Sequence, residues 1–242
     1  MALKILISND DGIYAEGISL LINEAKKYGS VMVVAPKEEQ SGKSHALTLR
    51  KPMEIKKIDL YEGVESYYVD STPADCVRYA YYGMNYDFDI LLSGVNKGYN
   101  VGDDIMYSGT TAAAFEASSM GKKAIAFSCC AESFEGFKLY INKVFEYFLE
   151  HKLLDEWNLY NVNFPESPKG IRITEVGGCN FNTYYDFIDG MYYQTGDNIT
   201  ESDIKKLHLD TSCVMNSFVS VTPITHVRTN VNVYNKLKNI NE

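Results

Sequence analysis

The residues with the clearest chemical potential are two adjacent aspartates, Asp10 and Asp11. They follow an apolar stretch at residues 4–8 that predicts a buried strand, and Gly12 then permits a sharp turn. Two ionised carboxylates this close repel each other, and partial burial makes that costly unless a cation lies between them. One interpretation is a divalent-metal site at the end of the first strand. The other is that one aspartate caps the next helix while its neighbour is solvated.

Two further oxygen-bearing side chains follow predicted buried strands. Ser41 lies in the loop after residues 31–35, and Asn96 follows residues 89–93. Right-handed crossovers bring the carboxyl ends of parallel strands to one edge of a sheet, where ligands bind. Carboxylates, a hydroxyl and an amide carbonyl are hard ligands, which suit Mg²⁺ or Mn²⁺, with Ca²⁺ as an alternative, rather than zinc or copper. Such an ion keeps positions open for a phosphate and a water.

A loop spaced by glycines leads into an alanine-rich segment at residues 110–120 that predicts a helix. The junction is Ser108-Gly109-Thr110, where the exposed N–H groups and the dipole of a helix start favour an anion. Ordinary capping of a core helix explains this segment equally well when it is judged alone. Because the predicted metal loops lie at the same edge, a phosphate cradle is the better interpretation.

The rest of the chain indicates how these groups are positioned. Alternating strands and helices through residues 1–176 predict an α/β core, a three-layer Rossmann-like arrangement with a mostly parallel sheet. Residues 45–50 and 53–58 alternate in polarity, as half-exposed strands do. Residues 177–242 differ: tyrosines flank residues 186–190 in a predicted hairpin arm, followed by a returning strand and a short terminal helix. An aromatic arm cannot bury itself, so we expect an oligomerisation element within one structural domain overall.

Composition excludes several classes of function. The 242 residues carry a net charge of −9, which argues against binding a nucleic-acid polymer, and no apolar run is long enough for a membrane span. The five cysteines are odd in number and form no CxxC pair, as expected in a reducing cytoplasm. The dinucleotide GxGxxG, Walker GxxxxGK[ST] and serine-hydrolase GxSxG signatures are absent. The four histidines have no metal-ligand spacing.

Taken together, the motifs resemble those of the SurE family, the stationary-phase survival nucleotidases. The matching segments are residues 7–12 (ISNDDG), 35–36 with 41–44 (AP, SGKS), 72–77 (TPADCV), 93–110 and 219–223 (VSVTP). The most specific is the run SGVNKGYNVGDD, followed by YSGT. The chain departs from the usual pattern at Ser71 and Ser217, where glycine is common, and at Glu175, where arginine is common.

The resemblance implies a metal-dependent phosphomonoesterase acting on nucleoside 5′- or 3′-monophosphates, with short polyphosphate as a further substrate of some members. It also implies an extended hairpin and a C-terminal segment exchanged between subunits of a homodimer or homotetramer. Asp10 and Asp11 would be catalytic. One divalent ion per subunit would be bound by Asp10, Asp11, Ser41 and Asn96, and the phosphate would be surrounded by Asn9, Asn100, Ser108, Gly109 and Thr110.

The chemical step and two other functions stay open on the sequence alone. One aspartate serves as base for an attacking water, or it attacks phosphorus itself, and the sequence does not separate these routes. A non-catalytic nucleotide or metal sensor on the same scaffold is a second hypothesis, and a nucleotide-sugar transferase a third. The full set of hard ligands weighs against the sensor, and no donor-binding signature supports the transferase.

Overall fold

The computed structural model describes residues 2–178, 181–198 and 204–240. Its strands are β1 (Leu3–Ser8), β2 (Gly29–Pro36), β3 (Ile55–Ile58), β4 (Glu65–Val69), β5 (Ile90–Lys97), β6 (Lys123–Cys129), β7 (Leu159–Phe164), β8 (Ile171–Ile173), β9 (Phe181–Ile188), β10 (Met191–Asn198) and β11 (Val219–Pro223). The α-helices are α1 (Glu16–Ala25), α2 (Pro73–Arg78), α3 (Gly109–Ser119), α4 (Glu135–Glu150), α5 (Leu153–Glu156), α6 (Asp210–Met215) and α7 (Val231–Leu237). A π-helical turn, Tyr79–Gly83, extends α2, and short 3₁₀ turns cover Gly102–Met106, Ile204–Lys206 and Lys238–Ile240.

The main sheet has nine strands within the described ranges, in the order β3-β4-β2-β1-β5-β6-β7-β11-β8. Strand β1 lies near its centre and pairs in parallel with both β2 and β5. The pairs β3–β4 and β7–β11 are antiparallel, and the other pairs are parallel. The predicted α/β fold with a mostly parallel sheet is therefore confirmed.

Strand β1 explains why helices cover both faces of this sheet. Its side chains alternate, so Ile5 and Ile7 pack with α1 and α4 on one face while Leu6 packs with α2 and α3 on the other. All three are at most 2% exposed, as expected for a central parallel strand buried on both faces. The apolar segment at the N-terminus thus holds the middle of a three-layer structure.

The chain after residue 176 forms the arm and also completes the main sheet. Strands β9 and β10 pair as the predicted antiparallel hairpin, with Ile188 opposite Met191 across the turn. Strand β11 returns to the main sheet between β7 and β8. Three arm side chains, Tyr185, Phe187 and Tyr192, are between 62% and 73% exposed. Among the described residues, no helix combines the length and apolarity that crossing a membrane requires.

The strand predicted at residues 45–50 is wrong. Ser44 and Arg50 have φ angles of 53° and 62°, which break an extended chain at both ends of the segment. Its backbone is instead satisfied by the start of α2: the Thr48 N–H donates to Asp75 Oδ2 at 2.8 Å, and Thr72 Oγ1 donates to the carbonyl of Ala46 at 2.8 Å. Side chains distant in sequence supply the backbone hydrogen bonds that a neighbouring strand would otherwise supply. Alternation of polarity alone cannot reveal this.

Candidate active site

The two adjacent aspartates lie in a tight loop directly after β1. The side-chain amide of Asn9 donates to the carbonyl of Gly12 at 2.8 Å, and Gly12 has a φ of 94° that favours glycine. The loop is tied to the next segment because the Gln40 N–H donates to the carbonyl of Asp10 at 2.7 Å. Asp10 is only 3% exposed, and its side chain lines a cleft of about 330 Å³. Asp11 is half-buried beside it.

The cleft collects five of the residues predicted for the site. They are Asp10 after β1, Ser41 after β2, Asn96 at the end of β5, and Asn100 and Ser108 between β5 and α3. The other four are adjacent but do not line the cleft: Asp11 follows Asp10 in the same loop, Asn9 is fully buried beneath it, and Gly109 and Thr110 begin α3 behind Asp10. The sheet edge therefore assembles the predicted groups around one opening.

Electrostatics make the aspartate pair unfavourable on its own. Burial raises the pKa of Asp10 above its usual range, although a hydrogen bond from the Thr110 hydroxyl opposes the shift. Burial, together with the negative charge of Asp10, raises the pKa of Asp11 to about 6. Within the ranges that the structure describes, neither carboxylate forms an ion pair with a lysine, arginine or histidine. A cation between them would remove this penalty.

The start of α3 packs directly against Asp10. The Ser108 side chain caps the helix by accepting from the Thr111 N–H at 3.2 Å, so the capping role considered from the sequence is present. Gly109 is required by space, because a Cβ there would lie 2.7 Å from the Cβ of Asp10. The first N–H groups of an eleven-residue helix thus lie beside the buried carboxylate, where they favour an anion.

The remaining predicted ligands differ in how firmly they are held. Ser41 is exposed, and its hydroxyl donates to Glu39 Oε1 at 2.7 Å. Asn96 uses its Nδ2 to donate to the carbonyl of Gly98 at 2.8 Å, which leaves its Oδ1 as an available ligand. Both oxygens are hard donors of the kind that Mg²⁺, Mn²⁺ and Ca²⁺ prefer.

Asn100 is positioned by a buried polar network that the sequence did not indicate. Its N–H donates to Asn163 Oδ1 at 2.8 Å and its Nδ2 to Ser128 Oγ at 2.8 Å. Its carbonyl accepts from the side-chain amides of Asn161 and Asn163, at 2.7 and 3.0 Å. The signal available in the sequence is the pair of asparagines in β7, Asn161 and Asn163, because polar side chains buried in a strand need hydrogen-bond partners.

The donor set fits a hard divalent cation. Across the described segments, no group of three or more His, Cys, Asp or Glu side chains is placed to hold a metal ion. The site instead combines two carboxylates with a serine hydroxyl and an asparagine carbonyl. Lys97, Tyr99 and Asp104 also line the cleft and were not predicted from the sequence.

Comparison with known proteins identifies the family to which this chain is similar. The family described as "Survival protein SurE" matches residues 5–183, a range that contains every predicted site residue. The chain belongs to the SurE family. The crystal structure of the SurE protein from Aquifex aeolicus superposes with a TM-score of 0.82 at 32% identity, covering 99% of this chain and 100% of that one.

Curated relatives of this SurE chain share one name. "5'-nucleotidase SurE" of Legionella pneumophila (strain Philadelphia 1) is 36% identical over 98% of this chain and 97% of its own length. The protein of that name from Caldanaerobacter subterraneus is 38% identical over 97% of this chain and 96% of its own. The match therefore extends beyond the site to the arm and the C-terminal segment.

The departures of this SurE chain from the usual pattern lie away from the aspartates. The Ser71 hydroxyl donates to Asp75 Oδ2 at 2.5 Å, which adds a contact that glycine lacks. Ser217 has a φ of 63°, a conformation that glycine adopts more easily than serine. The side chain of Glu175 is 70% exposed and lies 3.7 Å from His208 Nε2.

Proposed function

We propose that this protein is a divalent-metal-dependent phosphomonoesterase that hydrolyses nucleoside 5′-monophosphates, with 3′-monophosphates and short polyphosphate as further substrates. The observation that carries the proposal is the Asp10–Asp11 pair, which has no ion-pair partner in the described residues and lies at a cleft of hard oxygen donors beside a helix start. The substrate class rests on the names of the relatives, which are 5′-nucleotidases.

Asp10, Asp11, Ser41 and Asn96 would hold one divalent ion per subunit, with Mg²⁺ or Mn²⁺ favoured and Ca²⁺ as the alternative. When bound, such an ion supplies Lewis acidity toward a phosphoryl oxygen and lowers the pKa of a coordinated water. The raised pKa values of both carboxylates support this assignment, because nearby positive charge would return them to their ionised form.

The protein's own groups would bind and orient the phosphate. The Ser108 hydroxyl and the Asn100 side chain line the cleft and would offset the charge that develops on phosphoryl oxygens, and the dipole of the helix that begins at Gly109 and Thr110 would add to them. The Thr110 hydroxyl donates to Asp10 and so fixes that carboxylate. Because the Asn9 amide is buried and donates to Gly12, we assign it to holding the loop rather than to direct contact with phosphate.

One aspartate would complete the reaction, either by accepting the proton of the attacking water or by attacking phosphorus itself. The Thr110 hydroxyl donates to Asp10, which is only 3% exposed, whereas Asp11 is half-buried and more accessible to solvent. A buried carboxylate held by a hydrogen bond is suited to ligation, whereas a carboxylate with access to solvent can exchange a proton. We therefore favour Asp11 as the base.

The test is to replace each aspartate by asparagine and to measure both metal binding and catalysis. Asp10→Asn and Asp11→Asn should each weaken Mn²⁺ binding in calorimetry and abolish release of inorganic phosphate from nucleoside monophosphates. The matched control is Asp103→Asn, because Asp103 is an exposed acid that does not line the cleft, unlike its neighbour Asp104. Turnover near that of the unaltered protein in both aspartate variants would refute the site. Metal binding without phosphate release from any monoester would favour the sensor.

We also propose that the protein is a cytoplasmic homodimer or homotetramer that binds neither nucleic-acid polymers nor membranes. The exposed aromatic side chains of the β9–β10 arm support the assembly, since large exposed apolar patches mark interaction sites. Cys76, Cys129, Cys130 and Cys213 are buried free thiols, which fits a reducing compartment, and Cys179 lies outside the described residues. The acidic balance of the chain argues against polyanionic partners.

A further inference from the structure

A second cavity of about 400 Å³ adjoins the cleft. Tyr107 and Ser108 line both, so the two openings adjoin at this stretch of chain. The dividing segment is fixed by Ser44, whose N–H donates to the carbonyl of Tyr107 at 3.0 Å and whose hydroxyl donates to the carbonyl of Met106 at 2.6 Å. If the phosphate of a substrate lies at Ser108, the group attached to that phosphate would therefore extend into the second cavity.

One part of the cavity wall is apolar and aromatic. Met106 and Tyr107 are 59% and 60% exposed although they lie beside the candidate active site, and Phe115 also lines the cavity. The His45 ring lies 6.3 Å from the Phe115 ring at an angle of 33°. Its Nε2 is 2.7 Å from Glu116 Oε2, which fixes the imidazole. Aromatic rings bind nucleobases by stacking, and apolar side chains beside them add contact area.

Cationic and polar groups from the segment after β11 also line the cavity. His226 Nδ1 is 2.9 Å from Ser118 Oγ, which holds the ring, whereas Arg228 is exposed. Among the described residues, Arg228 has no ion-pair partner. A guanidinium has only donors, so it selects an acceptor edge such as O6 and N7 of guanine over the amino group of adenine.

We propose that this cavity binds the nucleoside of the substrate, with the base against Met106 and Phe115 and the acceptor edge of a 6-oxopurine toward Arg228. The inference rests on the proposed function, which places the phosphate at Ser108. The volume lies within the range of pockets for small ligands, and the combination of apolar walls with a few polar groups is typical of them. The cavity thus assigns the enzyme a preference for GMP and IMP.

The experiment compares kcat/KM for GMP, AMP and glycerol phosphate, a monoester without a base, in the metal-loaded protein. We expect GMP to exceed AMP by about tenfold, and Arg228→Gln to remove that difference, because one bidentate base contact discriminates by roughly this factor. Met106→Ala should lower kcat/KM for both nucleotides relative to glycerol phosphate by about fivefold, since it removes apolar contact area that any base would cover. Leu139→Ala is the matched control: Leu139 is 61% exposed and lines neither cavity, so all ratios should stay the same.

Two outcomes separate failure of the subsite from failure of the proposed function. If the enzyme releases phosphate from all three compounds and neither Arg228→Gln nor Met106→Ala changes a ratio, the subsite is wrong and the function stands. If no compound is hydrolysed, the function is wrong, and calorimetric titration with GMP then decides the subsite. Binding that Arg228→Gln weakens supports it, and binding that neither variant alters overturns it.

Discussion

Gly109 offers the sharpest test of how the site is built, because it touches Asp10 without being a ligand. A Cβ at this position would lie 2.7 Å from the Cβ of Asp10, 3.0 Å from its Oδ2 and 3.1 Å from the Cγ of Pro73. Non-bonded carbons settle at about 3.5–4.0 Å, so Gly109→Ala should displace the Asp10 side chain by about 1 Å. The carboxylate would then no longer point as it does in the native cleft.

The expected loss follows from that displacement. A catalytic group misplaced by about 1 Å costs about 100-fold in rate, so kcat/KM for a nucleoside monophosphate should fall by about this factor. Affinity for Mn²⁺ should fall with it. Overpacking itself costs about 1–3 kcal/mol of stability, and alanine suits a helix, so the variant should remain folded.

The assay is phosphate release, with Mn²⁺ titration calorimetry and thermal unfolding on the same samples. Gly178→Ala is the control, because its added Cβ would have no atom within 4 Å. Gly109→Ala with activity within about threefold of wild type would show that Asp10 can shift without loss, and the reasoning from close packing would fail. An unfolded variant would show that the contact with Pro73 dominates, and that overpacking costs far more than about 1–3 kcal/mol.

Three further predictions concern stability and assembly. Burial alone would raise the pKa of Glu116, but hydrogen bonds from His45 and Arg78 outweigh burial and lower it. The ionised Glu116 therefore stabilises the fold above its unfolded pKa of 4.5, and this stabilisation is lost as the pH falls through the lower pKa of the folded state. Glu116→Gln should therefore cost about 2 kcal/mol in urea unfolding at pH 7, and a cost that does not shrink at acid pH would contradict this. Ser217→Gly should raise the unfolding free energy by about 1 kcal/mol because it removes a left-handed serine, whereas a lower melting temperature would refute the strain. Replacing Tyr192 in the arm by serine should reduce the mass measured by light scattering, and an unchanged mass would assign assembly to another surface.

The sequence predicted the elements whose signals are local. Residues 4–8 are largely apolar and followed by polar groups, and they form β1 because the strand pairs on both sides and packs against helices on both faces. Thr72 caps α2 through a contact of this local kind, since its side chain accepts from the Asp75 N–H only three residues later. The strand prediction for residues 45–50 was wrong for the opposite reason: their hydrogen-bond partners lie at the start of α2, more than twenty residues away.

The site also combines features that the sequence predicts with features that depend on distant residues. The family and the fold could be predicted because the motifs lie in loops that parallel topology brings to one edge. The network that holds Asn100 could not, because Ser128 and Asn163 are 28 and 63 residues away and carry no local signature. The roles of the individual site residues stay predictions, and the geometry adds that Asn9 is buried and donates to the carbonyl of Gly12 in the loop after β1.

The contact between Thr110 and Asp10 shows why so many elements are needed for two carboxylates. Burial makes ionised Asp10 unfavourable, and the hydroxyl at the start of α3 offsets part of that cost by donating to it. A helix held at that distance requires glycine before the threonine, since any Cβ would collide with the aspartate. The hydrogen bond compensates only in part, because the net pKa of Asp10 stays raised. In the proposed function a bound dication would relieve this remaining imbalance, so a scaffold that neutralised Asp10 fully would bind such an ion less well.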